Sequence, residues 1–109
     1  MLIYKVLRAG EWDALRDEGV FRGAPVDLQD GFIHLSAADQ VQGTLDRHFA
    51  GETGLVLVAC DAEKLGPALR WEVSRGGARF PHLYRALDLS EVAWTKPLPA
   101  DADVAGMLP

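Results

Sequence analysis

Three short segments of the chain carry side chains that could do chemistry. The first holds His34 and Ser36, two positions apart, the second holds Glu72, and the third holds His82 and Tyr84, again two positions apart. Side chains two positions apart on a β-strand point to the same face, so each pair could meet one ligand. Each segment lies at a strand end or a turn, so a mixed sheet could bring these charged and hydrogen-bonding side chains to one cleft.

Two arginines lie in a glycine-rich turn that follows Glu72. The segment Arg75-Gly76-Gly77-Ala78-Arg79 offers guanidinium groups and backbone N–H groups, which together suit an anion such as phosphate or pyrophosphate. The spacing matches no phosphate-loop template, and a solvated hairpin turn is the alternative interpretation. We take Arg79 as the candidate phosphate ligand.

Three kinds of site could be built from these side chains. A serine hydrolase would use Ser36, but this serine lacks the Gly-x-Ser-x-Gly turn that exposes such a nucleophile. A metal site would use His34, His82 and an acid, but no close pair such as His-x-x-x-His supports it, so no metal is predicted. The third is a nucleotide pocket in which His34, Tyr84 and an arginine hold the ligand. Glu72 would there stabilise developing positive charge or orient a hydroxyl, and we prefer this interpretation.

The segment Asp30-Gly31-Phe32-Ile33-His34-Leu35-Ser36 must position the first pair of side chains. Its Asp-Gly step predicts a turn, the next four residues predict a short strand, and Ser36 predicts the cap of a following helix. The two aliphatic residues of the strand alternate with His34, so their burial would turn the imidazole to the opposite face. A hydrogen-bonded structural histidine is the alternative interpretation.

The remaining pattern predicts a single α+β domain with a split or strongly curved mixed β-sheet and two main helices. The uninterrupted apolar run 54–60 predicts the central strand, and alternation predicts further strands at 2–7, 69–74 and 92–95. Helical spacing predicts a helix over 9–19, packed through Trp12 and Leu15, and a second helix from Ser36 to about Ala50. A loop or an edge strand is expected over 20–29 and around Pro81. We assign residues 1–98 to the domain and 99–109 to a loose C-terminal tail.

The composition is that of a folded domain in which acidic residues outnumber basic ones. The chain has 109 residues, 49% of them hydrophobic, and 11 Lys and Arg against 16 Asp and Glu give a formal net charge of -5. This charge repels a phosphate backbone and argues against nucleic acid as a partner. The one cysteine, Cys60, excludes an intramolecular disulfide and a cysteine-based zinc site. No segment resembles a membrane span or a signal peptide, so we expect a cytoplasmic protein without a membrane partner.

Four motifs together resemble a known family. They are Ile3-Tyr4-Lys5-Val6 with Trp12, the segment 30–36, Trp71-Glu72, and Phe80-Pro81-His82-Leu83-Tyr84. Spread from about Ile3 to Leu98, they resemble domain-of-unknown-function family 952 (DUF952), a family of small, mostly bacterial proteins without an established activity. The family's fold is thought to be similar to that of ADP-ribosyltransferases and RNA 2'-phosphotransferases, which use NAD.

The resemblance implies a pocket for NAD or an ADP-ribose-like ligand and a transferase activity. Phe32-Ile33-His34-Leu35 is similar to the His-x-His-Leu strand that helps bind NAD in the phosphotransferases, with Phe32 in place of the first histidine. The first strand offers Tyr4 and Lys5 where those enzymes carry a histidine or arginine. The site residues implied are Glu72 and His34 as catalytic groups, and Ser36, Arg79, His82 and Tyr84 as ligand-binding groups. The alternative is a non-catalytic module that binds a small ligand or a protein with the same surface.

Overall fold

Short alternating segments give this chain more strands than helices. The structure, a computed structural model, describes residues 1–109 with the exception of the side chain of Arg75. In chain order its main elements are β1 (Leu2–Leu7), α1 (Ala9–Glu18), β2 (Val20–Phe21), α2 (Pro25–Asp30), β3 (Ile33–His34), α3 (Val41–His48), β4 (Leu55–Asp61), α4 (Ala62–Leu65), β5 (Leu69–Val73), β6 (Arg79–Leu83), β7 (Leu87–Asp88) and β8 (Val92–Leu98). Short 3₁₀ turns occupy Ala38–Gln40, Gly66–Ala68, Arg75–Gly77, Leu89–Glu91 and Val104–Gly106. The predicted α+β class is confirmed.

The apolar run forms β4, the middle strand of the first sheet, as predicted. It pairs with β1 on one side and with β8 on the other, both antiparallel. Val58 and Cys60 contribute to one hydrophobic core, whereas Leu57 and Ala59 contribute to a second core on the opposite face. The strand is apolar on both faces because both faces are buried.

The second sheet has the order β3-β6-β5, and its middle strand contains a proline. Pro81 was predicted to enter as a loop or an edge strand, and this prediction is wrong. The carbonyl of Pro81 accepts a hydrogen bond of 3.0 Å from the Leu35 N–H, but proline has no N–H to return to Leu35. The missing bond falls where β3 ends, at His34, so the proline is accommodated at the end of the pairing.

The two sheets are joined where Ser36 meets the first strand. The Tyr4 N–H donates to the Ser36 carbonyl and the Ser36 N–H donates to the Tyr4 carbonyl, each at 2.8 Å. The sheet is therefore split, and a separate two-stranded piece pairs β2 with β7. All of these pairings are antiparallel, so the mixed sheet of the sequence analysis is corrected to an antiparallel one. The radius of gyration of 12.8 Å is that of one domain of this length, for which about 13 Å is typical.

The helix predicted over 9–19 is confirmed, whereas the predicted cap of the second helix is wrong. Leu15 is fully buried and Trp12 packs against the same core. Ser36 does not cap a helix, because its backbone pairs with Tyr4 and its hydroxyl lies 2.9 Å from the Thr44 hydroxyl. The chain turns instead at Ala37, whose N–H donates to the Gln40 side chain at 2.9 Å.

A helix occupies Pro25–Asp30, within the stretch for which a loop or an edge strand was predicted. Proline is well suited to the first turn of a helix, and Asp27 accepts a hydrogen bond of 2.8 Å from the Ala24 N–H that precedes that turn. The Asp-Gly step read as a turn is the end of this helix, where Gly31 adopts a left-handed φ of 87°. This helix delivers Asp27 and Asp30 to the face of His34.

The segment after β8 contacts the body of the protein. Val104 is buried in the second core, and its N–H donates to the Gln42 side chain at 2.9 Å. The Lys96 ammonium donates to the Met107 carbonyl at 2.7 Å. The mobility expected for residues 99–109 stays a prediction, as does the domain boundary at residue 98.

Candidate functional site

The polar side chains of the second sheet gather on the face opposite its core. Ile33 and Leu35 are each 2% exposed, which turns His34 to the other face as the alternation predicted. The register pairs His34 with His82 across the strands, and their ring centroids lie 5.5 Å apart. The next strand pairs Arg70 with His82, so β3, β6 and β5 each contribute to one polar face.

Asp27 is the buried acceptor that holds His34. Its Oδ1 lies 2.7 Å from His34 Nδ1 and accepts the His34 backbone N–H at 3.1 Å. Lys5 Nζ lies 3.0 Å from Asp27 Oδ2, and the Asp27 side chain is 1% exposed. The other ring nitrogen of His34, Nε2, lies 3.0 Å from the carboxylate of Asp30. The imidazole is therefore fixed in orientation by carboxylates at both ring nitrogens.

This arrangement decides the charge of Asp27. Burial by itself would raise the pKa of Asp27, but the hydrogen bonds from His34, the charge of Lys5 and the Ala24 N–H lower it to about 2. Burial lowers the pKa of Lys5, an effect that the nearby Asp27 carboxylate opposes. Asp27 is thus ionised at neutral pH and oriented towards His34 like the carboxylate of a carboxylate–histidine pair.

A second carboxylate–histidine pair lies beside the first. Glu72 Oε1 lies 2.9 Å from His82 Nδ1 and accepts the Tyr84 hydroxyl at 2.6 Å. The hydrogen bonds that Glu72 accepts from Tyr84 and from His82 lower the pKa of Glu72. The Tyr84–Glu72 hydrogen bond also raises the pKa of Tyr84. His82 is 4% exposed, and its Nε2 has no hydrogen-bond partner among the described groups.

One aromatic side chain, Phe32, lies against the histidines of both pairs. Phe32 stacks on His82 with ring centroids 4.1 Å apart and an interplanar angle of 24°. The same ring contacts His34 at 4.6 Å and Tyr84 at 5.2 Å. The Arg70 guanidinium lies 5.1 Å from the centre of the Tyr84 ring. Phe32 therefore packs against both histidines and limits how far either ring can rotate.

A cavity of about 420 Å³ opens between β1, β3, α3 and β6. Its polar lining includes Lys5, His34, Ser36, Arg47 and His82. Val6, Leu35, Phe49 and Phe80 contribute apolar and aromatic walls. A volume of this size lies within the range of about 300–1,000 Å³ that is usual for small-molecule sites, and the mixture of walls is typical of them.

The cavity unites three of the six predicted site residues. His34, Ser36 and His82 line it, while Glu72 reaches it through its hydrogen bond to His82. Tyr84 lines a neighbouring depression of about 370 Å³ instead. Arg79 donates to the Trp71 carbonyl at 3.4 Å and does not line the cavity, and the side chain of Arg75 lies outside the described residues.

Sequence reasoning missed Asp27, Arg47 and the role of Lys5. The signal for Asp27 was present, because Pro25 followed two positions later by an acid is typical of a helix start. Arg47 lines the cavity from the last turn of α3, is exposed, and has no ion pair with any described side chain. No local signal marks Lys5, since its partner lies 22 residues away.

The described residues contain no group of three or more His, Cys, Asp or Glu side chains placed to hold a metal ion. None of the helices in this part of the chain has the length and apolar character needed to cross a membrane.

Comparison with known proteins identifies the family. The crystal structure of protein CC0527 from Caulobacter crescentus is similar, with 52% sequence identity, a TM-score of 0.92, and coverage of 98% of this chain and 97% of that chain. The solution NMR structure of CC0527 has 52% identity and a TM-score of 0.88 over 98% of this chain and 96% of that chain. No match was found among curated proteins. Residues 6–95 match the family described as "Protein of unknown function (DUF952)", so the chain belongs to the DUF952 family.

Proposed function

We propose that this chain binds a nucleotide-like ligand, of the NAD, ADP-ribose or AMP class, in the 420 Å³ cavity and transfers a group from it. The observation that carries the proposal is the meeting of His34, Ser36 and His82 with Arg47 around one cavity. These residues come from three separate segments of the sequence, and the fold brings them to a concave surface. An ADP-ribosyltransferase-like fold, with NAD as the group donor, is the finer form of the proposal.

The lining offers a separate place for each part of a nucleotide. Phe49 and Phe80 provide aromatic surface for a flat base, because stacking on aromatic rings tolerates any base. Arg47 provides an exposed guanidinium for a phosphate, with which it can form paired hydrogen bonds. Ser36 and Thr44 add hydroxyl groups between these two walls.

We assign distinct chemical roles to the two carboxylate–histidine pairs. His34 serves as the catalytic acid–base group, with Asp27 holding its ring in place. Glu72 is 37% exposed and ionised, so a ligand extending past His82 would meet a negative charge suited to stabilise a developing positive centre. Tyr84 positions Glu72, and Arg79 is proposed to contact phosphate at the outer rim of β6.

Binding is tested by calorimetric titration of the chain with ADP-ribose, NAD and AMP. Arg47→Gln is expected to weaken binding about tenfold, because it removes a charge-assisted contact worth about 1.5 kcal/mol. Arg22→Gln is the matched control, since Arg22 is also an exposed arginine and lies outside the cavity. The absence of saturable binding by all three nucleotides, or equal losses in both variants, would contradict the proposal.

Transfer is tested by release of nicotinamide from NAD. His34→Gln and Glu72→Gln are expected to abolish release while changing NAD affinity much less, because both are proposed to act on the reaction rather than on binding. Binding without any release would favour the alternative, a non-catalytic ligand-binding module on the same fold.

A further inference from the structure

We propose that His82 selects the ligand through Nε2, which accepts a hydrogen bond from a ligand hydroxyl or N–H group such as a ribose hydroxyl. This inference rests on the proposed function, because it names the ligand group that the same cavity recognises. It assigns to His82 a specificity role that differs in kind from the acid–base role of His34.

The Glu72 carboxylate fixes the position of the proton on the His82 ring. Nδ1 lies 2.9 Å from Glu72 Oε1, and an ionised carboxylate can only accept. The Tyr84 hydroxyl donates to the same oxygen at 2.6 Å and keeps that carboxylate in place. Nδ1 therefore carries a proton. The partner oxygen fixes the tautomer, as it does in other carboxylate–histidine pairs.

The other ring nitrogen of His82, Nε2, is in a different environment. His82 is 4% exposed, and Nε2 is buried without a hydrogen-bond partner among the described groups. A proton on Nε2 would create a charged ring with a buried, unsatisfied donor, which is costlier than an unused lone pair. Nε2 therefore carries a lone pair. His82 lines the cavity, and because Nδ1 is engaged by Glu72, Nε2 is the ring nitrogen left for a ligand.

The contrast with His34 gives the recognition rule. Both ring nitrogens of His34 lie within 3.0 Å of carboxylate oxygens, of Asp27 and of Asp30, so both already have partners within the chain. His82, with its ring centroid 5.5 Å away, presents an acceptor. A ligand beside the two rings therefore meets one unsatisfied acceptor, His82 Nε2, and a ribose hydroxyl supplies the donor that this acceptor needs.

The tautomer is measured on the full chain without ligand. With ¹⁵N-labelled histidine, long-range ¹H–¹⁵N spectra distinguish protonated from unprotonated ring nitrogens, and the chain has three histidines to assign by His34→Gln, His48→Gln and His82→Gln. We expect the His82 proton on Nδ1, and its transfer to Nε2 in Glu72→Ala but not in the exposed control Glu18→Ala. A proton on Nε2 in the unchanged chain, or an identical His82 signal in Glu72→Ala, would overturn the assignment.

The ligand preference is measured by titrating AMP and 2',3'-dideoxy-AMP in parallel. We expect AMP to bind about tenfold more tightly, and this difference to disappear in His82→Phe. Equal binding of the two nucleotides to the unchanged chain would refute the selection by His82 while leaving the proposed function standing. Failure of both to bind would refute the proposed function together with this ligand preference, and the tautomer spectra would still decide the state of the ring.

Discussion

At the scale of single residues, Asp27 organises the candidate site. One buried carboxylate receives the Ala24 N–H, the His34 N–H, the His34 ring and the Lys5 ammonium. A buried carboxylate with this many donors is stabilised in its ionised form, and it fixes the orientation of every group that it contacts. The candidate catalytic residue His34 therefore depends on a helix that precedes it in the chain.

Removing the Asp27 charge should destabilise the fold strongly. We expect Asp27→Asn to lower the free energy of unfolding by about 3 kcal/mol, because it leaves the buried Lys5 without its counter-ion. Urea denaturation measures this loss. The double variant Lys5→Met/Asp27→Asn should recover part of it, since the unpaired charge is gone. The exposed control Asp17→Asn should change stability by less than about 0.5 kcal/mol.

The same carboxylate predicts how stability depends on pH. The pKa of Asp27 in the folded chain is about 2, against an ordinary value of 3.8, so the folded state binds its proton less readily than the unfolded state. Its contribution, about 2 kcal/mol, is present above pH 4 and is lost as the pH falls towards 2. In urea denaturation at a series of pH values, the stability difference between the unchanged chain and Asp27→Asn should shrink over this interval. If the stability difference between the two chains stayed constant over this pH interval, the charge of Asp27 would not be the cause of that difference.

The residue types of the site were predictable from the sequence, but their partners were not. Alternation in a short strand predicted the outward face of His34, because burial of Ile33 and Leu35 leaves the imidazole no other direction. The contact of Glu72 with His82 depends on strand register, and that of Lys5 with Asp27 spans 22 residues. Such contacts follow from tertiary packing, which a single sequence does not display.

At the scale of elements, α2 and the turn that ends it position the acidic side of the site. Gly31 adopts a φ of 87°, which costs a residue with a Cβ about 1–2 kcal/mol. This turn reverses the chain between Asp27 and His34 and so allows their hydrogen bonds.

Replacement of Gly31 tests the importance of this turn. We expect Gly31→Ala to lower the free energy of unfolding by about 1 kcal/mol, measured by urea denaturation, through strain alone, because a Cβ there meets no atom within 4 Å. Gly10→Ala is the matched control, since Gly10 lies in α1 with equally open space and an ordinary helical backbone. That change should be neutral or stabilising by up to about 1 kcal/mol. A loss in Gly10→Ala as large as in Gly31→Ala would contradict the argument from φ.

Elements with a strong local pattern were predictable, and those decided by neighbours were not. The buried strand β4 and the helix α1 follow from an apolar run and from helical spacing. The helix at Pro25–Asp30 is short and was hidden by its proline and the surrounding glycines. The place of Pro81 in a middle strand is tolerable because its neighbour β3 ends at that point. The order of strands in the sheet shows that β3 ends beside Pro81, and the sequence alone does not display that order.

At the scale of the whole molecule, two cores share the strand β4. Val58 and Cys60 pack on one side and Leu57 on the other, so the first sheet is covered on both faces. The cavity lies where this sheet meets the second one, beside the Tyr4–Ser36 bridge. The first sheet, buried on both faces, thus holds one wall of the candidate site.

The cysteine in this strand reports on opening of the whole fold. Cys60 is fully buried, and burial raises the pKa of its thiol to about 12. We expect it to resist a thiol-specific reagent at pH 8 in the native chain and to react at once in denaturing urea, because only the exposed thiolate is nucleophilic. A reagent that releases a coloured product when it reacts with a thiol allows the rate of Cys60 labelling to be measured by absorbance. Rapid labelling of the native chain would show that β4 opens without global unfolding.

The central claim is that the cavity at the junction of the sheets is the ligand site. Backbone ¹H–¹⁵N spectra recorded during titration with ADP-ribose test it most directly. We predict saturable shifts concentrated at His34, Ser36, Arg47, Phe80 and His82, with the acidic depression around Asp101 and Asp103 unaffected. An unchanged spectrum at millimolar ADP-ribose, or shifts concentrated away from the cavity, would contradict the account.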